Sequence, residues 1–167
     1  GNVAMDVTRS SIRLGADKVS CVYRRRIEDM TALRAEIDSA MQEGVEMMTL
    51  QAPDHIEVEN GQAVALYTQP QFIGPVKRGR PAPQKADKPL VRVPADVVLI
   101  AVGQDIESAP FEEAGMQADR TYFEADGGLK SVGSLDNVFV GGDCQTGPAS
   151  AIKAIAAGKV AARNIDH

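Results

Sequence analysis

Residues 3–50 alternate segments of helical periodicity with short apolar stretches, and that alternation admits few folds. Val3, Val7, Ser11 and Leu14 recur at helical spacing and Gly15 follows as a stop, so residues 3–14 are expected to form a helix. Residues 18–23 read as a strand with Val19, Cys21 and Tyr23 on one face. Residues 30–43 repeat the helical pattern, with Leu33, Ile37, Ala40 and Met41 on the stripe expected to be buried and Glu36 and Asp38 facing solvent. Gly44 ends that helix, and residues 45–50 make a third piece, apolar through its middle as a parallel strand covered on both faces must be. The second helix is then a crossover connection.

The chain opens on Gly1-Asn2-Val3-Ala4-Met5-Asp6, which reads as the second half of a dinucleotide-binding turn. A glycine there lets the backbone approach a pyrophosphate, and the helix N-terminus offers it free N–H groups. The preceding strand and first glycine are absent, and Gly1 stands where a complete chain has its initiator Met, so a fragment is expected. In this turn's usual setting a carboxylate about 20 positions on binds the adenine ribose 2′-hydroxyl and selects NAD. Here Arg24, Arg25 and Arg26 stand in its place. A carboxylate repels a 2′-phosphate, whereas guanidinium groups bind one through charge-assisted hydrogen bonds, so the spacing selects NADP(H). Taken alone, the arginines also fit a solvated basic turn.

From His55 the pattern turns to period two: Ile56 and Val58 alternate with polar residues, Asn60-Gly61 makes a hairpin turn, and residues 63–68 return. Residues 90–93 are expected to complete an antiparallel meander. Between them, Pro75, Pro81, Pro83 and Pro89 surround Lys77, Arg78, Arg80, Lys85 and Lys88, which reads as an exposed loop or a docking surface for an acidic partner. Residues 95–103, PADVVLIAVG from Pro94, fit a buried central strand whose final glycine turns the chain beside a cofactor crevice. After a polar connection over 104–128, residues 137–140 read as a strand, Gly141-Gly142-Asp143 as a tight turn and residues 148–165 as a helix with Ile152, Ile155, Ala156 and Val160 on its apolar face. That strand-turn-helix fits a second nucleotide site or an ordinary capping aspartate.

A net charge of -5 argues against nucleic acid as a general partner, and no apolar run reaches the ~20 residues of a membrane span. Cys21 and Cys144 are too few for a metal set and suit a reduced, cytoplasmic compartment as packing thiols. His55 and His167 carry no acid–base pattern, so no catalytic residue and no metal ligand is named.

GNVAMD, VYRRR, ADVVLIAVGQ and NVFVGGD, in that order, resemble the NADPH-dependent flavoprotein family that includes the glutamate synthase small subunit, the flavin half of dihydropyrimidine dehydrogenase and adrenodoxin reductase, within the pyridine nucleotide-disulfide oxidoreductase superfamily. The resemblance implies an α/β fold: a Rossmann-like three-layer NAD(P)-binding domain with an antiparallel β-meander over 1–105, lacking its first strand, and the C-terminal strand-turn-helix of an FAD domain over 106–167. It implies that Gly1, Asn2, Val3 and Ala4 lie at the NADPH pyrophosphate, Arg24 and Arg25 at the 2′-phosphate, and Val102 and Gly103 near the nicotinamide. Gly142 and Asp143 would contact FAD, and Pro148, Ala149 and Ser150 would approach the flavin ring. The implied activity is hydride transfer from NADPH to FAD, with electrons passed to a partner subunit or to iron–sulfur clusters held in a missing N-terminal region. A non-catalytic nucleotide-binding module is the rival reading, and self-association through an open sheet edge a third. Thr31, where many relatives carry proline, and the basic segment 74–88 depart from the family pattern.

Overall fold

The computed structural model describes residues 1–77, 79–119 and 122–166, which form two compact units, 1–103 and 104–167. The first unit opens with helix α1 (Asn2–Arg13), strand β1 (Ser20–Tyr23), a 3-10 turn (Ile27–Asp29), helix α2 (Arg34–Gln42) and strand β2 (Glu46–Thr49). β1 and β2 pair in parallel, Ser20 opposite Glu46 and Tyr23 opposite Thr49, so the expected strand-helix-strand crossover is present. Its core is Met5, Ala32, Ile37, Ala40 and Val45, with Ala4, Ile12, Val19 and Cys21 packed against them. Burial raises the Cys21 thiol pKa above its ordinary value, so it stays protonated and packs as a small apolar group.

Two stripes differ from expectation. On α1 the buried side is Met5 and Thr8, while Val3 and Leu14 are 66% and 89% exposed. Thr8 meets the core because its hydroxyl donates back to the carbonyls of Ala4 (3.0 Å) and Met5 (3.0 Å), which leaves only its methyl to pack. On the second helix, Leu33 and Met41 are exposed because helical structure begins only at Arg34, with Leu33 as its cap, and the packed face narrows to Ile37 and Ala40.

Glu36 is not a solvated surface acid either. Arg9 of α1 donates to Glu36 Oε2 at 2.7 Å and to Glu43 Oε1 at 2.9 Å, and Arg13 reaches the same Glu43 oxygen at 2.6 Å. These bonds hold the Glu43 carboxyl down to about 2, the hydrogen bonds from Arg9 and then Arg13 being the main causes. A depressed carboxyl stabilises the fold above its unfolded value of about 4.5, and that contribution disappears as pH falls toward about 2. Thermal midpoints followed across this window are expected to fall less steeply for Glu43→Gln than for the unchanged chain; parallel curves would dismiss the clamp.

An antiparallel sheet follows: β3 (Gln51–Glu59), β4 (Gln62–Lys77), β5 (Arg80–Lys85) and β6 (Val91–Pro94), with β3, β5 and β6 all pairing β4. Asn60 and Gly61 both have positive φ, 51° and 79°, as a two-residue hairpin turn with matching twist requires. The proline-rich segment expected as a loop is thus largely a second hairpin. Pro81 and Pro83 are tolerated because β5 pairs with β4 on one side only, where a missing N–H costs least. Arg78 lies outside the described residues.

Residues 95–103 correct the expectation of a buried central strand. No strand forms there, and Val97, Leu99, Ile100 and Val102 are 71%, 60%, 77% and 84% exposed. Among the described residues β1 pairs with β2 alone, so the run finds no neighbouring strand to complete. It lines an open groove of about 1210 Å³ together with Ala4, Val7 and Ser11 of α1. Of the residues expected to face the core from this helix, Val7, Ser11 and Leu14 therefore line this groove, while Val3 is simply exposed.

The second unit carries α3 (Ala109–Glu113), β7 (Ala118–Asp119), β8 (Tyr122–Phe123), α4 (Asp143–Thr146) and α5 (Ala151–Ile165). Its core, Met116, Phe123 and Val140, draws largely on the segment expected to be a polar connection, where Phe111 meets Phe123 edge to face at 5.4 Å. Residues 137–140 run extended beside 129–131 without forming a ladder, through Ser131 N–H to Val138 O (2.8 Å) and Val140 N–H to Leu129 O (2.9 Å). Helix α5 begins at Ala151 instead of Pro148, and Ile152 and Ile155 of the expected apolar face are exposed. The packed side is the alanine side: a Cβ added to Gly141 would lie 3.1 Å from Ala157 Cβ. Among the described residues no helix is long and apolar enough to cross a membrane.

Candidate functional site

The start of α1 is capped by Gly1 with no side-chain hydrogen bond, so the N–H groups of its first turn have no side-chain partner. That opening faces the segment 30–33. A Cβ on Gly1 would sit 3.6 Å from Thr31 Oγ1, and Asn2 Oδ1 accepts the Leu33 N–H at 2.8 Å. Val3 is exposed and Ala4 half-buried. Asn2 thus has a structural duty, holding the entry to α2 against the first turn of α1.

β1 ends in Tyr23, whose hydroxyl donates to Asp29 O, and the segment that follows runs on to Leu33 at the first turn of α1. Arg26 is consumed locally: its Nε and Nη2 donate to Asp29 Oδ2 and Oδ1 at 2.9 and 3.0 Å. The hydrogen bond from Arg26 holds the Asp29 carboxyl below the usual range. Arg25 is half-buried and gives its Nε–H to Pro81 O at 2.9 Å, which leaves its terminal nitrogens without a partner among the described residues. Arg24 is exposed and has no partner among the described residues. Of the consecutive arginines, Arg24 and Arg25 are therefore the ones able to take an anion.

Arg80 of β5 was not singled out by sequence reasoning beyond its place in a basic run. Its Nη2 donates to Tyr23 Oη at 3.1 Å and to Asp29 O at 2.5 Å, and Tyr23 Oη donates to that same carbonyl at 3.0 Å. No local pattern announces a contact over 57 residues between a strand end and a proline-rich hairpin.

Val102 and Gly103 stand at the end of the exposed apolar run, Gly103 with a φ of 111°, and Val102 lines the groove that Ala4 of α1 also borders. In the second unit the expected residues do converge. Gly142 has a φ of 76° and caps α4, and Asp143 Oδ1 accepts the Ala149 N–H at 3.1 Å. Ser150 caps α5 by accepting the Lys153 N–H at 3.4 Å. Pro148 lies between these anchors, and Asp143 remains exposed, with a carboxylate oxygen left to accept from a hydroxyl. The groups present are chemically able to meet those expected of them: backbone N–H groups and guanidinium for phosphates, a carboxylate for hydroxyls.

Comparison with known proteins gives a consistent picture. The family model described as pyridine nucleotide-disulphide oxidoreductase matches residues 1–158. The glutamate synthase [NADPH] small chain of Halomonas elongata is 31% identical over 169 residues, covering 99% of this chain and 36% of its own length. The NADP(+)-dependent formate dehydrogenase subunit beta of Moorella thermoacetica is 31% identical over 168 residues, covering 100% of this chain and 24% of its own. The chain thus spans about a quarter to a third of these relatives. Among solved structures, thioredoxin reductase of T. acidophilum superposes with a TM-score of 0.74 at 17% identity, over 99% of this chain and 49% of that one.

Proposed function

Because the chain belongs to the pyridine nucleotide-disulphide oxidoreductase family, we propose that it is the part of an NADPH-dependent FAD oxidoreductase in which the first unit binds NADPH and the end of the second unit completes an FAD site. The observation that carries the cosubstrate choice is the basic corner after β1, where Arg24 and Arg25 are available and no acidic side chain pairs with either among the described residues. A 2′-phosphate meets paired donors there, and a bare 2′-hydroxyl loses that gain.

When bound, NADPH supplies a hydride and FAD accepts it. The chain's own residues bind and orient. The first turn of α1, from Gly1 to Ala4, sets N–H groups and the positive end of a helix against the pyrophosphate. Asn2 fixes that turn to Leu33, and Thr31 borders it. In the second unit Gly142 takes a backbone shape that side chains resist, ahead of Asp143, which accepts the Ala149 N–H and whose other oxygen would accept from FAD hydroxyls. Pro148, Ala149 and Ser150 would border the flavin, and Val102 and Gly103 would serve the nicotinamide side. The names of the relatives, a small chain and a subunit, support membership of a larger assembly, to which this protein would pass electrons directly or through iron–sulfur clusters.

The test is anaerobic mixing of the full-length protein with NADPH or NADH while flavin absorbance is followed. NADPH is expected to bleach the flavin at least tenfold faster at equal concentration, since a lost charge-assisted bond is worth about a factor of ten or more. Absence of bound flavin, or equal rates with NADH, would overturn the reading.

A further inference from the structure

The geometry points to Arg80 as the positioning residue of the 2′-phosphate corner: from hairpin β4–β5 it fixes Tyr23 and Asp29, and so sets the preference for NADPH over NADH. This rests on the function proposed above and adds to it the hairpin β4–β5.

Arg80 and Pro81 are neighbours on β5, and they grip residues on either side of Arg24. Arg80 holds Tyr23 Oη and the Asp29 carbonyl, while Pro81 O receives the Arg25 Nε–H. A residue pinned on both sides has its backbone direction decided, and Arg24 is left projecting from a fixed base. The Asp29 carbonyl is the common point. It accepts from both Arg80 and Tyr23, while the Asp29 side chain takes Arg26 out of the anion site. Without Arg80, Tyr23 keeps a single bond and the corner is tied to β5 through Arg25 alone.

Charge gives a second, independent reason. Arg80 is half-buried, and among the described residues it meets a hydroxyl and a carbonyl but no carboxylate. Its positive charge is therefore not cancelled, unlike that of Arg26, and it adds to the field of Arg24 and Arg25 where a dianionic phosphate gains most from it. Both bonds leave from one nitrogen, Nη2, whose two hydrogens the planar guanidinium aims in fixed directions; a lysine ammonium keeps the charge but is a rotating donor on a flexible stem.

The test measures dissociation constants of NADPH and NADH by calorimetry for the full-length protein, Arg80→Met, Arg80→Lys and Tyr23→Phe. Arg80→Met is expected to weaken NADPH about tenfold and NADH less than about twofold, the loss of two charge-assisted bonds and a nearby charge being spent on the phosphate end. Arg80→Lys should recover part of the ratio. Tyr23→Phe, a mild change that keeps the ring, should reduce the ratio about threefold and decides the matter if Arg80→Met does not fold. Equal weakening of both nucleotides would reduce Arg80 to a fold contact and overturn the inference, as would an unchanged ratio. If the unmutated protein itself does not distinguish NADPH from NADH, the 2′-phosphate reading fails first, and that result is visible before any variant is made.

Discussion

Replacing Arg24 and Arg25 together with alanine is expected to weaken NADPH binding on the order of a hundredfold while changing NADH binding less than about threefold. Charge-assisted hydrogen bonds contribute about 1.5–3 kcal/mol each, and about 1.4 kcal/mol is a factor of ten, but exposure of Arg24 to water brings the pair toward the lower end. The NADH arm separates phosphate binding from general damage. Arg25 also tethers β5 through Pro81 O, so Arg24→Ala alone should show the cleaner discrimination and the double variant the larger loss. Calorimetry on the full-length protein checks both, and equal losses for the two nucleotides would remove the arginines from the site. Because the interaction is electrostatic, the NADPH penalty should also shrink as ionic strength rises.

Met5→Ala is expected to cost about 2–5 kcal/mol, since Met5 is 1% exposed and sits among Ala32, Ile37, Ala40 and Val45. Three of those neighbours, Ala32, Ala40 and Val45, are small or short and come from the segment before α2, from α2 itself and from the residue before β2, so little can move in to fill the space. For a domain of this size the loss corresponds to a fall in thermal midpoint on the order of 10–20 °C. Met5→Leu, which keeps the volume, should cost less than about 1.5 kcal/mol. Thermal denaturation followed by circular dichroism checks the pair, and a small shift for the alanine variant would mean that α1 does not anchor this core.

The parallel half of the first unit was legible because helix and strand periods differ and the chain alternates them over 3–50. Asn60-Gly61 was legible for a local reason as well, since few residues besides asparagine and glycine accept positive φ at both turn positions. The basic corner was located by its distance from Gly1, and the turn of Gly142 by the glycines that make it. Other features depended on contacts distant in sequence. β5 looks like a loop because proline usually forbids a strand, and only its edge position makes Pro81 and Pro83 acceptable. The core of the second unit was hidden because Met116 and Phe123 stand in a stretch whose other residues are mostly polar. Residues 95–103 misled in the other direction: composition marks an apolar run, but a strand also needs a paired neighbour, and composition cannot supply one. Arg9 shows the same limit for charges, since Glu36 looked solvated until α1 was laid against α2.

The close seat of Gly141 on Ala157 has a bearing on how this protein can drift over time. The turn that carries Asp143 takes its position from the small-residue side of α5, where one added methyl has almost no room. Ile152 and Ile155 point the other way and bear none of that constraint. The same helix is therefore two surfaces under different rules: an inner one where substitutions larger than alanine shift the turn, and an outer one that is free to change its chemistry, and with it the company the helix keeps, while Asp143 stays where it is.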